Sequence, residues 1–285
     1  MYKIIDGKAH SAAIRAEIAE RVKTYKERNK EEVGLAVVLV GNDSASQVYV
    51  KNKIKGCEEV GVKSFAYYLP DTATQAQVEE LIKELVKSRE IHGILVQLPL
   101  PKHLDGNRIL SLIPKCKDVD GFCEENIGNL CMNRDCLVAC TPNGVMKMLA
   151  REGIDLKGKN AVVIGRSNIV GKPMAMLLLN ADATVTVCHS KTANLKEICS
   201  TADVLVAAIG KAKFVTADMV KTGATVIDVG MNRDENGKLC GDVDFEKVKD
   251  KCAYITPVPG GVGPMTITML LYNTVTAAER SKNGD

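Results

Sequence analysis

The sequence has no apolar run long enough to cross a bilayer, and its opening stretch MYKIIDGKAHSAAIRAEIAERVKTYKERNK has none of signal-peptide length. Both absences argue against a membrane or secreted protein, so a soluble, cytoplasmic protein is expected. No basic block exceeds a few residues, and 38 Lys and Arg against 35 Asp and Glu leave a net charge of only +3. Nothing in that balance favours nucleic acid or an anionic membrane as a partner. Ten cysteines are present, five of them (Cys116, Cys123, Cys131, Cys136 and Cys140) in one stretch, yet no histidine lies among those five. Their spacings match neither the paired cysteines of a zinc site nor a common iron–sulfur run. No metal is expected, and free thiols in a reducing compartment are the reading. Internal repeats and low-complexity segments are also missing.

What is present is an alternation of helix-like and strand-like segments in a chain of 285 residues, 46% of them apolar, enough for one large or two medium domains. A helix is expected near 11–27, where Ile14, Ile18 and Val22 recur four apart with charges on the opposite face. LAVVLVG (35–41) reads as a strand buried on both faces, and the next helix stops at Gly61. SFAYYL (64–69) is a second strand; Thr74 and Gln77 form a capping-box pattern ahead of Val78, Leu81, Ile82 and Leu85. GILVQLPLP (93–101) is a third strand ended by prolines. This β-α-β-α-β order predicts a parallel sheet covered by helices. Residues 118–140 lose periodicity and read as a long functional loop or an interdomain crossing.

A helix with Pro142 just inside its start then opens a second alternating series, with strands at 160–165, 183–188, 202–210 and 224–230 and a helix through 171–179. The tail, PGGVGPMTITMLLYNTVTAAER, is a glycine-rich loop feeding a long apolar helix that is expected to pack back on the first domain. In this series VVIGRSNIVGKP sets Gly165, then Gly171 and Pro173, between a buried strand and a helix. Glycine there lets backbone approach a phosphate, and the helix start offers free N–H donors. The motif is not G-x-G-x-x-G, since the glycines stand six apart with Arg166 between them. The following strand ends VTVCHSKT, without the carboxylate that takes the ribose hydroxyls of NAD. His189, Ser190 and Lys191, with Arg166 able to approach, suit a 2′-phosphate, hence NADP.

In the first half, SQVYVKNK (46–53) places Tyr49 and Lys53 at i and i+4, on one helix face. Alone, such a pair reads as an ordinary helix surface. Together with GILVQLPLP, KDVDGF, TPNGV, GRSNIVGKP and PVPGGVGPMT, it makes six ordered motifs across essentially the whole chain. The sequence on these motifs resembles the bifunctional methylenetetrahydrofolate dehydrogenase/methenyltetrahydrofolate cyclohydrolase family, known as FolD.

The resemblance implies two α/β domains around a cleft, the second a Rossmann-type NADP-binding domain, usually in a homodimer. Residues 1–140, completed by the helix 265–285, would bind folate and carry the catalysis; residues 141–264 would bind NADP. It implies oxidation of 5,10-methylenetetrahydrofolate with NADP, then hydrolysis of the methenyl product to 10-formyltetrahydrofolate, within one-carbon metabolism and purine biosynthesis. Tyr49 and Lys53 would face the folate, Lys53 as the acid–base group and Gln97 orienting it. Asp120 would hold the pterin's amino edge, and Gly260 and Gly261 would border substrate and nicotinamide. Gly165, Arg166, Ser167, Ser190 and Met231 match cofactor contacts. Two positions depart from the pattern: Cys123, where His-Pro often follows the aspartate loop, and Ala139, where proline often stands. A short-chain dehydrogenase also uses Tyr-x-x-x-Lys, but there the pair follows the cofactor glycines, whereas here it precedes them. A family member with one activity only, or a non-catalytic folate- or NADP-binding protein, are the alternatives; the retained Lys53 argues against the latter.

Overall fold

The computed structural model describes residues 2–283. Along the chain run β1 (Lys3–Ile4), α1 (Gly7–Asn29), β2 (Gly34–Val40), α2 (Ser44–Val60), β3 (Lys63–Leu69), α3 (Gln75–Lys87), β4 (Gly93–Val96), α4 (Gly106–Leu110) and α5 (Glu124–Cys131). They are followed by α6 (Cys140–Arg151), β5 (Asn160–Ile164), α7 (Gly171–Asn180), β6 (Thr184–Cys188), α8 (Leu195–Cys199), β7 (Val204–Ala207) and β8 (Thr225–Asp228). The last elements are β9 (Asn232–Arg233), β10 (Leu239–Cys240), α9 (Phe245–Val248), β11 (Tyr254–Ile255) and α10 (Val262–Asn283). Two compact units result, one of Met1–Ala12 with Thr141–Thr266, the other of Ala13–Cys140 with Ile267–Asp285.

The second of these units is built on a parallel sheet in the order β3-β2-β4. Every residue of the central β2 is buried, which is why its run of seven contains no polar side chain. Ala36, Val38 and Val40 pack with Val78, Ile82 and Leu85 of α3 and with Ile109 of α4. Local signals set the helix ends. Asp43 accepts the Ser46 N–H at 2.8 Å, and Gly61 closes α2 in the left-handed conformation. Thr74 Oγ1 accepts the Gln77 N–H while Gln77 Oε1 accepts the Thr74 N–H, at 3.3 and 2.8 Å. β4 ends at Val96, short of the prolines, and the Gln97 N–H still donates to Val38 O at 2.8 Å. The stretch expected as loop holds the two-turn helix α5, whose first turn Cys123 caps by accepting the Asn126 N–H on Sγ. α10 packs back in this unit as expected: buried Asn273 donates to Val119 O and Val138 O, both at 2.8 Å.

The other unit holds a six-stranded, all-parallel sheet ordered β1-β11-β8-β7-β5-β6. The chain's first strand therefore lies here, paired with β11, and not with residues 13–140. Numbered from β5, the order is 2-1-3-4-5, the doubly wound arrangement whose crossovers change direction between its first and third strands. Val162 and Ile164 of β5, Leu205 of β7 and Val226 of β8 lie in its core, all but fully buried. None of the ten cysteines is in a disulfide, and no helix among the described residues is long and apolar enough to cross a membrane.

The capping box generates a direct expectation. Thr74→Ala should lower stability by about 1 kcal/mol, read as a lower urea midpoint, because it frees one N–H at the start of α3. An unchanged midpoint would show that water replaces the hydroxyl at no cost.

Candidate active site

In both sheets the loops that matter leave the carboxyl ends of strands, where a parallel sheet offers backbone groups without partners. In the three-stranded sheet these are the exits of β2 and β4, the pair flanking its switch point. α2 carries Tyr49, 40% exposed, and Lys53, half-buried, on one face. Lys53 Nζ donates to Gln97 Oε1 at 2.9 Å, and Gln97 Nε2 donates to Leu98 O at 2.6 Å. The glutamine amide is thereby fixed with its oxygen toward the lysine. Burial pushes the Lys53 ammonium below the ordinary lysine range, against the pull of Asp120 and Cys140, which favour its charged form.

Asp120 is the second ionisable group of this site. Burial pushes its carboxyl up to about 6, opposed by Lys53 and assisted by Asp118. Its neighbour Asp118 does a different task. Buried, it accepts the N–H of Gly121 at 3.1 Å, the N–H of Cys123 at 2.8 Å and the Asn126 Nδ2 amide at 3.0 Å. Those bonds shape the turn that presents Asp120 and start α5, so both oxygens of Asp118 already serve the fold. The departure at Cys123 falls in this turn, where its backbone and thiol both serve the fold. Cys140, also buried, keeps its proton, since burial pushes the thiol well above the ordinary range. Its Sγ donates to Val119 O at 3.3 Å.

In the six-stranded sheet a cavity of about 300 Å³ opens at the switch point between β5 and β7. Gly165, Arg166 and Ser167 line it from the exit of β5, His189 and Ser190 from β6, and Ala208, Ile209 and Lys211 from β7. Gly165 has φ of 130°, and a Cβ there would lie 2.2 Å from Ala208 O. A Cβ on Gly171 would lie 2.2 Å from Gly165 O, so the strand-to-helix turn closes only without side chains. Ser167 Oγ accepts the N–H groups of Val170 and Gly171 at 3.2 and 3.3 Å, which holds the start of α7. Lys191 does not line the cavity; its N–H donates to His189 Nδ1 at 3.2 Å. The cation missed by sequence reasoning is Lys211, which directly follows the β7 run ending in Gly210. With Arg166 and Lys211 present and no carboxylate in the lining, the cavity suits a ligand with several phosphates.

A second cavity in the same unit, of about 210 Å³, is lined by Lys8, by Asp228 to Met231 and by the glycine-rich loop from Pro257 to Pro264. Gly260 and Gly261 sit in that loop, and Met231 is 54% exposed beside it. Lys8 is the other lining residue that carries no recognisable sequence signal. Among the described residues no group of three or more His, Cys, Asp or Glu is placed to hold a metal ion.

Comparison with known proteins accounts for both halves of this arrangement. Residues 5–120 match the family model of the tetrahydrofolate dehydrogenase/cyclohydrolase catalytic domain, and residues 139–282 match that family's NAD(P)-binding domain. The Bifunctional protein FolD of Campylobacter curvus is 59% identical over 99% of this chain and 98% of its own. The crystal structure of the bifunctional methylenetetrahydrofolate dehydrogenase/cyclohydrolase from Campylobacter jejuni superposes with a TM-score of 0.97 at 52% identity, covering 99% of this chain and 100% of that one. The Trypanosoma brucei dehydrogenase-cyclohydrolase, solved with NADP cofactor and an inhibitor, gives a TM-score of 0.93 at 41% identity over 99% of this chain and 98% of its own. Matched by both family models and by relatives along nearly its whole length, the chain belongs to the tetrahydrofolate dehydrogenase/cyclohydrolase family.

Proposed function

We propose that this protein oxidises 5,10-methylenetetrahydrofolate with NADP and hydrolyses the resulting 5,10-methenyltetrahydrofolate to 10-formyltetrahydrofolate. The observation that carries the reading is the Lys53–Gln97 hydrogen bond beside Asp120, in a chain of this family. NADP fits the residues present: Arg166 and Lys211 as cations, Ser190 as a donor, and a turn at Gly165 where a side chain would fill the approach. When bound, it supplies a hydride acceptor. Gly165, Arg166, Ser167 and Ser190 would hold its phosphate and ribose end, and Met231, Gly260 and Gly261 would border the reacting end. The protein is expected to work in the cytoplasm as a homodimer, which sedimentation would test.

On the folate side Asp120, as a carboxylate, accepts the paired N–H donors of the pterin ring. Tyr49 presents its ring along the same face as Lys53. Oxidation needs no protein acid, because the folate nitrogen's lone pair expels the hydride and a methenyl cation remains; alignment is the site's contribution. Hydrolysis does need one. Water adds to the methenyl carbon while neutral Lys53 takes one of its protons; the ammonium so formed then protonates one nitrogen as its bond to that carbon breaks, and the hydroxyl gives its proton to solvent, leaving the formyl group on the other nitrogen. The overall step consumes one water and releases one proton. Partial removal of Lys53 from water makes the neutral amine accessible, and the Gln97 oxygen steadies the ammonium.

Three outcomes test this assignment. Lys53→Arg and Lys53→Met should each lose about a hundred- to ten-thousandfold in methenyl hydrolysis, since guanidinium does not release a proton near neutral pH. Part of the dehydrogenase rate should survive, so methenyltetrahydrofolate accumulates in the absorbance trace. Near-wild-type methenyl decay in Lys53→Arg would reduce Lys53 to a fixed positive charge.

Arg166→Ala should weaken NADP binding about tenfold or more, the scale of one lost charge-assisted contact, with little change for NAD. Equal turnover of the unaltered protein with NAD and NADP would defeat the 2′-phosphate assignment.

The carboxyl of Asp120, raised to about 6, gains a proton as pH falls through that value. Its anchor for the pterin is therefore present above about pH 6 and lost below it, so folate KM should rise on acidification for both reactions. Asp120→Asn should raise KM at neutral pH and flatten the profile; a KM independent of pH in the wild type would place the anchor elsewhere.

A further inference from the structure

One carboxylate in the six-stranded unit lies outside both cavities, yet it holds the wall of one of them. Asp242 has 0% exposure and, among the described residues, no cationic side chain bonded to it. Instead it accepts four N–H bonds. Oδ2 takes those of Ile209 and Gly210 at 2.7 and 3.1 Å; Oδ1 takes those of Lys211 at 2.8 Å and of the Asn232 amide at 2.9 Å. Three consecutive backbone N–H groups, with Gly210 in the left-handed conformation at φ 66°, form a concavity that binds an anion. Here the anion is the protein's own.

The segment so held is the exit of β7, which walls the cavity at Ile209 and Lys211. It also touches the phosphate turn directly, because Ala208 O occupies the place that a Cβ on Gly165 would need. The carboxylate is itself held from behind: the Asp242 N–H donates to Asp228 Oδ1 at 2.9 Å, and the Val243 N–H to Asp228 Oδ2 at 2.9 Å. A shift of the 209–211 backbone would move Lys211 and crowd Gly165 together.

Resting on the reading of this cavity as the NADP site, we propose that Asp242 is a positioning residue for the cofactor, its buried carboxylate setting the Ile209–Lys211 backbone to the shape that NADP requires. Asp242→Asn keeps the volume but cannot keep the bonds. An amide oxygen has two acceptor sites where the carboxylate uses four, and the new NH2 faces N–H donors.

The test is calorimetric titration of the whole chain with NADP, with thermal midpoint and methenyl hydrolysis, which uses no NADP, read on the same samples. Asp242→Asn should weaken NADP binding about tenfold, well beyond any fall in hydrolysis. The matched control is Asp203→Asn, whose carboxylate takes the Asn160 N–H at 2.9 Å and Lys221 at 2.5 Å at the opposite end of β7. It should leave NADP affinity within about twofold. Adding Asn232→Asp to Asp242→Asn sets an acceptor against the new NH2 and should recover part of the loss. Wild-type affinity in Asp242→Asn, or an equal loss in Asp203→Asn, would overturn the proposal. If Asp242→Asn does not fold, Asn232→Ala removes one of the four donors; a weakened NADP affinity there supports the proposal and an unchanged one overturns it. Failure of the unaltered protein to bind NADP would instead defeat the reading of the cavity.

Discussion

The arrangement on the folate side depends on the cost of taking one ammonium partly out of water. Desolvation pulls Lys53 toward its neutral form, while Asp120 pulls the other way and Gln97 supplies a single fixed acceptor. The two ionisable groups are driven toward each other in proton affinity, one downward and one up to about 6. A narrower gap makes a proton easier to move, which isolated surface groups would not provide. The remaining local structure serves that balance. β4 must end where it does for Gln97 to reach Lys53, and Asp118 must spend both oxygens on N–H groups to present Asp120 two residues later.

Such a site works against the fold that carries it. A carboxylate whose folded-state proton affinity is raised favours folding most when protonated. Its contribution is complete at low pH and is lost as pH rises through about 6. At neutral pH the ionised Asp120 is therefore a destabilising element, retained where charge is useful. Asp228, buried at the end of β8, is likewise pushed up to about 6 by burial, although three N–H groups favour its charged form. Asp118, Asp228 and Asp242 are held mainly by backbone donors, which fix loops without bringing in mobile cationic side chains.

Much of this was legible from sequence because its causes are local. The apolar run of β2, the Thr74–Gln77 pair and the glycine after α2 each act within a few residues, and the structure has them where patterning puts them. α5 was not legible: it is eight residues long, capped by a cysteine, and fixed through Asn126 to Asp118 and Leu137. Nor was β1, a two-residue strand with no period to read, which joins a sheet whose other strands lie more than 150 residues away. The cavity's cations show the same limit. Lys191 and Lys211 both follow strand ends, and only three-dimensional placement separates the one that lines the pocket from the one that does not. Tyr49, Lys53, Gln97 and Asp120 stand out as candidates only through six motifs in order, since a tyrosine and a lysine four apart carry little information alone.

Asn273 imposes an order in time. Its amide clamps the carbonyls of Val119 and Val138, on either side of the Asp120 turn and α5. A ribosome delivers those carbonyls first, then every residue of the other unit from Thr141 to Thr266, and only afterwards the clamp. At about 5–20 residues per second, the carbonyls wait roughly 7–30 s for their partner. During that interval the six-stranded unit can complete its own sheet, while the folate side lacks the helix that closes it. The six-stranded unit of the nascent protein is thus able to fold before the unit closed by Asn273, although the latter's strands β2 to β4 are made first.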